Sequence, residues 1–399
     1  LWKKDGRQRS DSTHVLGDVE QLTRLELAWE TVRVTLQALR KRRPTWYAQQ
    51  IPGRLHNIYE QRRSEWRLSE SEVREEMQQV GQDGLWLLRG LAAAPEAVQE
   101  LSEVHTLRTV WEQQFKWEAE SQQVTVRRPG GRGQGKAIVV TPHDPEVRWS
   151  KKRSTEWRGY KVHVTETAEA ENEVQFLTDI EVTAANDYDS ESVDALQQRL
   201  AERGLLPQEH YVDQGYTSGA NLAHSAARGT ELVGPVAGDT AGKPEGYRQS
   251  DFALDFATQQ ATCPQGQVAP KWYPRRQEDG AVGAEIQFRE RCTGCPVRAQ
   301  CAPGKSGRTL RVNPYHHELR QRRAEQDTSA FKQRMHRRAA VEGTISELTR
   351  THGARRARYR GLAKVRLQML FTGAAVNLKR MARALAAQKR VPAGVKTDA

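Results

Sequence analysis

The chain has 399 residues and a formal net charge of +12, with no long apolar run, which excludes a transmembrane helix. Its length supports a large core, either as more than one domain or as one domain with large insertions. From Lys305 to Arg390 there are 22 Lys/Arg against 5 Asp/Glu, a net of +17, which leaves about −5 for the rest. A basic C-terminal third of this kind predicts a polyanionic partner, most simply nucleic acid, and no amphipathic basic helix with a broad apolar face points to a membrane. No secretory leader pattern is visible at Leu1-Trp-Lys-Lys, and the missing Met leaves room for elements upstream. Four clustered cysteines without such a leader point to a reducing, cytoplasmic setting and to metal binding rather than disulfides.

In chain order, Gln8 to Leu16 reads as a short strand with Asp11 and Thr13 on one face and Ser12 and His14 on the other. A helix cap by Asp11 or Ser12 is the plainer alternative, and His14 reads as structural. From Val19 to about Ser121 the pattern is helical, with Leu22, Leu25, Trp29, Val32, Leu36 and Leu39 at spacings of three and four. Arg43-Pro44 stops the first helix, and Ser69-Glu-Ser-Glu72 resembles a capping box that opens another. Gly130 to Gly135 is a poor phosphate loop and reads as a flexible basic linker.

An α/β stretch follows. Trp157–Thr165 and Val174–Thr183 read as a strand pair, and Asp189-Ser190 caps a helix that ends at Gly204. His210-Tyr-Val-Asp213 reads as a strand ending on a carboxylate, Ser218 opens a helix, and Glu231–Val236 is a further strand. Counted from the Asp11 strand, the order is β-β-β-α-β-α-β. A Gly/Pro-rich insertion from 238 to about 310 holds Cys263, Cys292, Cys295 and Cys301. This is metal-ligand spacing for a structural Zn²⁺; reduced, partly buried thiols are the alternative. Beyond it lie a helix at Leu319–Arg323, a long one from Ser329 to about Arg350, a basic turn at Arg355–Arg360, and a last helix whose stripe of Leu367, Leu370, Phe371, Ala374, Leu378 and Met381 reads as core.

Asp11-Ser-Thr-His14, Gly159-Tyr-Lys-Val-His163, Asp213-Gln-Gly-Tyr216, the Cys insertion, Glu342-Gly-Thr-Ile-Ser-Glu347, Gly353 to Gly361 and Asn377-Leu-Lys-Arg380 occur in that order. This ordered series resembles a DDE transposase of a bacterial insertion sequence, in the branch with a Cys-bearing insertion. The resemblance implies an α/β ribonuclease-H-like core made of a first strand (1–16) and residues 136–237. A helical insertion (17–135) would interrupt it, the Cys insertion (238–310) would precede the catalytic helix, and a basic helical region would close the chain (311–399). It implies Asp11, Asp213 and Glu342 as catalytic ligands of two Mg²⁺ ions, with Mn²⁺ able to substitute. Its partners would be double-stranded DNA, as terminal inverted repeats and target, and a second copy in a synaptic homodimer; its setting would be the nucleoid. Three carboxylates are hard oxygen donors of the kind Mg²⁺ takes. Two such ions can serve both water attack and strand joining by a 3′-hydroxyl.

Of the related signature Tyr-x2-Arg-x3-Glu-x6-Lys, Arg338 and Glu342 are present, while Met335 and Thr349 replace Tyr and Lys, with Arg350 one place on. Taken alone, Arg338 and Glu342 read as a surface ion pair. Glu347 is a rival to Glu342 but sits about 140° around the helix. Lys161 and His163, two apart on a strand, could reach phosphate or the acidic cluster. Arg355, Arg356, Arg358 and Arg360 read as phosphate contacts, against the alternative of a solvated charge run. A decayed or domesticated DNA-binding remnant and a ribonuclease-H-type nuclease are the competing functions.

Overall fold

The computed structural model describes residues 6–60, 68–128, 137–239, 245–277, 279–302 and 304–388. The glycine-rich stretch at 130–135 lies outside them. The centre of the fold is strand β1 (Arg7–Leu16). Its residues alternate between the two faces of a sheet, as the period of two requires. Ser10 meets Thr165 and His210 on one face, and Arg9 meets Glu166 on the other.

Residues 17–147 leave the sheet and return. Helix α1 (Arg24–Arg42) starts at a capping box in which Thr23 and Glu26 satisfy each other's backbone N–H groups. Helices α2 (Pro44–Gln50), α3 (Gly53–Tyr59), α4 (Glu70–Ala92), α5 (Glu96–Gln99) and α6 (Ser102–Gln114) follow. Pro44 stands at the first position of α2, where its missing N–H costs nothing. Ser69 and Glu72 form the capping box of α4. Leu25, Trp29, Val32, Leu36 and Leu39 bury into one core with Leu55, Leu87, Leu91 and Leu107. Helicity ends earlier than the sequence pattern suggests. Strands β2 (Phe115–Glu118) and β3 (Gln123–Val126) form a hairpin that closes this unit, with Phe115 and Val124 in its core.

The chain re-enters the sheet through β4 (Arg148–Lys152) and β5 (Thr155–Thr167), a hairpin whose first strand is too polar to be read from sequence. β5 lies antiparallel to β1, and β6 (Leu177–Ala184) lies antiparallel to β5. Gly159 sits where β5 crosses the end of β1. A Cβ there would lie 2.0 Å from the Val15 carbonyl oxygen, so only glycine fits. Helix α7 (Val193–Glu202) follows a tight turn at Asp189–Ser192. Then come β7 (Glu209–Tyr211), α8 (Gly219–Ala227) capped by Ser218, and β8 (Glu231–Val233). β7 runs parallel to β1 and β8 parallel to β7. The result is a mixed sheet in the order β6-β5-β1-β7-β8, with β4 beside the start of β5.

Strands β9 (Ala253–Asp255), β10 (Gln260–Thr262), β11 (Lys271–Arg276), β12 (Val282–Gln287) and β13 (Thr309–Val312), with the short helix α9 (Arg298–Cys301), build a separate small core around Phe252, Ile286, Phe288 and Leu310. Helix α10 (His316–Gln326) leads to α11 (Ser329–Ala339). The long helix expected here breaks at Ala340 into α12 (Val341–Ser346), which runs into a wider turn at Glu347–Thr351. Helix α13 (Leu362–Gln388) packs on β6. Its buried positions are Val365, Met369 and Val376, each stabilising by about 1.5–3 kcal/mol. The side chain of Asn377 bonds both backbone groups of Leu177. The stripe read as core is instead exposed: Leu367, Leu370, Phe371, Leu378 and Met381 all face outward.

Candidate active site

The parallel register pairs Arg9 with Tyr211; two residues further on stand Asp11, still within β1, and Asp213, just past the end of β7. Two carboxylates 202 positions apart thus meet where β1 and β7 diverge. Asp11 is buried; its Oδ1 accepts from the Ser12 backbone N–H at 2.7 Å. Asp213 accepts from the Gly215 N–H at 2.8 Å. Arg338 and Glu342, four positions apart across the boundary of α11 and α12, face the same place. From α11, Arg338 donates to Asp11 Oδ2 at 2.7 Å and stands 3.9 Å from Asp213 Oδ2. From α12, Glu342 Oε1 stands 3.9 Å from the same guanidinium, with a largely exposed side chain. Burial pushes the Asp11 carboxyl up from its ordinary range, Arg338 opposes that, and Asp213 adds to it. Arg338 is therefore the counter-ion of a three-carboxylate cluster.

This cluster lines a cleft of about 760 Å³. The same cleft is lined by Lys151, Lys152 and Arg153 from the β4–β5 hairpin, together with Lys161 and the exposed Tyr188. The sequence reading missed the hairpin cations and Asp189. Asp189 is no helix cap: it accepts from Lys161 Nζ at 2.8 Å and from the Ser12 hydroxyl at 3.2 Å. Its only sequence signal was its place before a helical pattern.

The remaining expected DNA contacts separate into two kinds. His163 is buried away from the cleft, bonded to the Tyr216 hydroxyl at 2.7 Å and to Thr183 at 3.1 Å; burial lowers its pKa to about 4. It supports the sheet behind the carboxylates and presents no surface to phosphate. Arg355 is likewise engaged, donating to the Thr13 hydroxyl and the His14 carbonyl, so it pins the end of β1. Arg350, Arg356 and Arg358 are exposed, and Arg360 contacts Asp18. His14 packs against Trp157, with ring centroids 5.3 Å apart and the planes tilted by 38°.

Glu347 is paired with Arg380 at 2.9 Å, away from the cleft. Arg380 also reaches Glu166, a fully buried carboxylate that accepts from Arg9 and Thr344 as well. The motifs around Glu347 and Asn377–Arg380 thus lock α12 and α13 onto β5.

Cys263, Cys292, Cys295 and Cys301 are free thiols lining one cavity of about 20 Å³. The Arg308 N–H points at Cys292 Sγ at 3.4 Å, and burial raises the Cys301 thiol above its ordinary pKa. As the side chains stand, among the described residues no group of three or more His, Cys, Asp or Glu could hold a metal ion. The expected zinc therefore gains no ligand set. At the carboxylates the reason is visible: a guanidinium occupies the space between them. The donor chemistry nonetheless fits a hard divalent cation, since three carboxylates converge on one positive charge. Among the described residues no helix is long and apolar enough to cross a membrane.

Residues 262–382 match the model of a protein family described as Transposase DDE domain. The match spans all four cysteines, Arg338, Glu342 and Arg380, and supports a DDE transposase. Asp11 and Asp213 lie outside it and are joined to it by the geometry above. No curated protein and no solved structure matches the chain.

Proposed function

We propose that the chain cuts the ends of an insertion sequence and joins them to target DNA, with Asp11, Asp213 and Glu342 as the catalytic carboxylates of a ribonuclease-H-like core. The observation that carries this reading is the convergence of these three side chains on Arg338, in the cleft that the transposase DDE match reaches from the C-terminal side. The sheet order β6-β5-β1-β7-β8 is the order such a core needs. Asp11, Asp213 and Glu342 would hold two Mg²⁺ ions, which when bound activate the attacking water or 3′-hydroxyl and stabilise the leaving oxygen.

The protein's own residues do the rest. The backbone N–H groups of Ser12 and Gly215 fix the orientation of Asp11 and Asp213. Lys161, held by Asp189, keeps a positive charge at the cleft wall. The side chains of Lys152 and Arg153, which line the cleft, make no hydrogen bond or ion pair among the described residues and are available to phosphate. They would position DNA without reading its sequence. Arg338 neutralises the carboxylates where the cations would sit.

The test is strand transfer. Metal-dependent release of a 3′-hydroxyl end followed by joining to target DNA supports the reading. Nicking without joining favours a ribonuclease-H-type nuclease, and binding without cleavage favours a DNA-binding remnant.

A further inference from the structure

The turn between β6 and α7 holds a large aromatic side chain in the open. Tyr188 is 64 % accessible, yet it lines the same cleft as Asp11, Asp213 and Glu342. The turn around it is tied to three other elements. Lys161 Nζ from β5 donates to the Asp187 carbonyl at 2.6 Å and to Asp189 Oδ1 at 2.8 Å. The Ser12 hydroxyl from β1 donates to the same Asp189 oxygen at 3.2 Å, and the Asn221 amide from α8 donates to the Ser190 carbonyl at 2.8 Å. Within the turn, Asp187 accepts from the Ala184 N–H at 3.1 Å and Glu191 from the Tyr188 N–H at 3.2 Å. The backbone that carries Tyr188 is therefore fixed on both sides of it.

Gly215 sets how near this turn comes to the carboxylates. Asp189 Oδ2 and Asp213 Oδ1 each lie 3.0 Å from the point where a Cβ on Gly215 would stand, so the two carboxylates are at most twice that distance apart. Tyr188 is thus the sequence neighbour of a residue that adjoins Asp213. The other two rings in the cleft lining, His14 and Trp157, pack against each other, and Trp157 is buried. Lys152 and Arg153 offer charge to phosphate but nothing flat to a base. An exposed aromatic face takes any base, because every base has a π-face.

We propose that Tyr188 is a stacking platform for a nucleotide base next to the phosphodiester that the carboxylates hold. The inference rests on the strand-cutting reading above and adds to it the state of the DNA. Asp11 is buried, so a strand that brings phosphate to it leaves its duplex partner, and the ring replaces the stacking that its base loses. At subsaturating DNA bearing the element's own ends, in Mg²⁺, Tyr188→Ala should cut a paired end about five- to 150-fold more slowly than the parent, the worth of one base–aromatic stack. Tyr188→Phe keeps the ring and should recover most of that loss. An end with mismatched bases beside the scissile bond is already unpaired and should restore cutting by Tyr188→Ala, a rescue that a merely structural defect would not show. Thermal melts followed by circular dichroism should coincide for parent and variants, because the position is exposed. Equal cutting of the paired end by the parent and Tyr188→Ala overturns the proposal and leaves the strand-cutting reading intact. So does a Tyr188→Phe variant as slow as Tyr188→Ala, which assigns the effect to the hydroxyl, and so does a loss of rate that mismatches leave unchanged. A parent that cuts no end at all overturns both.

Discussion

Replacing Arg338 by alanine should make the protein's stability depend on divalent cations. The Arg338 side chain is 17 % exposed; its guanidinium makes a 2.7 Å charge-assisted bond to the buried Asp11 and stands 3.9 Å from both Asp213 and Glu342. A charge-assisted bond of this kind contributes about 1.5–3 kcal/mol. Removing one partner of a buried pair costs about 3–5 kcal/mol, because the remaining charge is left uncompensated. Glu342 is mostly solvated and adds little, so a loss of about 3 kcal/mol is expected for Arg338→Ala in chelator. Without the guanidinium, burial and the Asp213 charge push the Asp11 carboxyl further up, so part of the loss is recovered as the pH is lowered. Urea melts of the parent and variant, in chelator and in MgCl₂, measure the effect. The variant should gain more stability from Mg²⁺ than the parent, since the ion no longer competes with a built-in cation and stabilises by mass action. Equal stability of the two proteins in chelator, or an equal response to Mg²⁺, would refute the counter-ion role.

Other outcomes follow from the same geometry. His163 and His210 are buried and neutral, with pKa values lowered to about 4. Their contribution is present above the unfolded-state value near 6.5 and is lost as pH falls toward 4, by about 3 kcal/mol for each at most; a His163→Gln variant should flatten that part of the stability–pH curve. Lys152→Glu with Arg153→Glu should weaken DNA binding uniformly across sequences and lower the salt slope by about one for each lost phosphate contact, read from titrations at several salt concentrations. Arg380→Ala leaves the buried Glu166 with Arg9 as its sole ionic partner among the described residues and should cost about 3–5 kcal/mol in a denaturant melt. Gly159→Ala should lower the melting temperature sharply, because its Cβ collides with the Val15 carbonyl.

Much of the sheet was legible because its signals are local. Gln8–Leu16 alternates, Ser218 and the Ser69/Glu72 pair cap helices, and Gly204 ends one in a left-handed conformation. Asp213 at the end of a strand could be placed for the same reason. What escaped was whatever depends on a distant partner. Strand β4 reads Arg-Trp-Ser-Lys-Lys and looks like a charged loop; it is a strand because β5 pairs with it. Asp189 looked like a cap until Lys161 and Ser12 were folded against it. His163 and Arg355 carry polar side chains that suggest contact with DNA, yet both are consumed by internal hydrogen bonds. On α13 two stripes compete. The larger residues, Leu and Phe, suggested the core, whereas the sheet accepts the narrower side that includes Gly373, whose missing side chain lets Ile180 approach. The interruption of the helix at Ala340 has no Gly or Pro to announce it.

The most direct test of the central claim is cleavage of DNA bearing the element's own ends, in Mg²⁺, by the parent chain and by Asp213→Ala. Asp213 lies outside the matched family segment, and the fold alone joins it to Glu342. The account predicts metal-dependent release of a 3′-hydroxyl end by the parent and none by the variant, with DNA binding retained in both. Undiminished cleavage by Asp213→Ala, or a parent that binds these ends and leaves them whole, would contradict it.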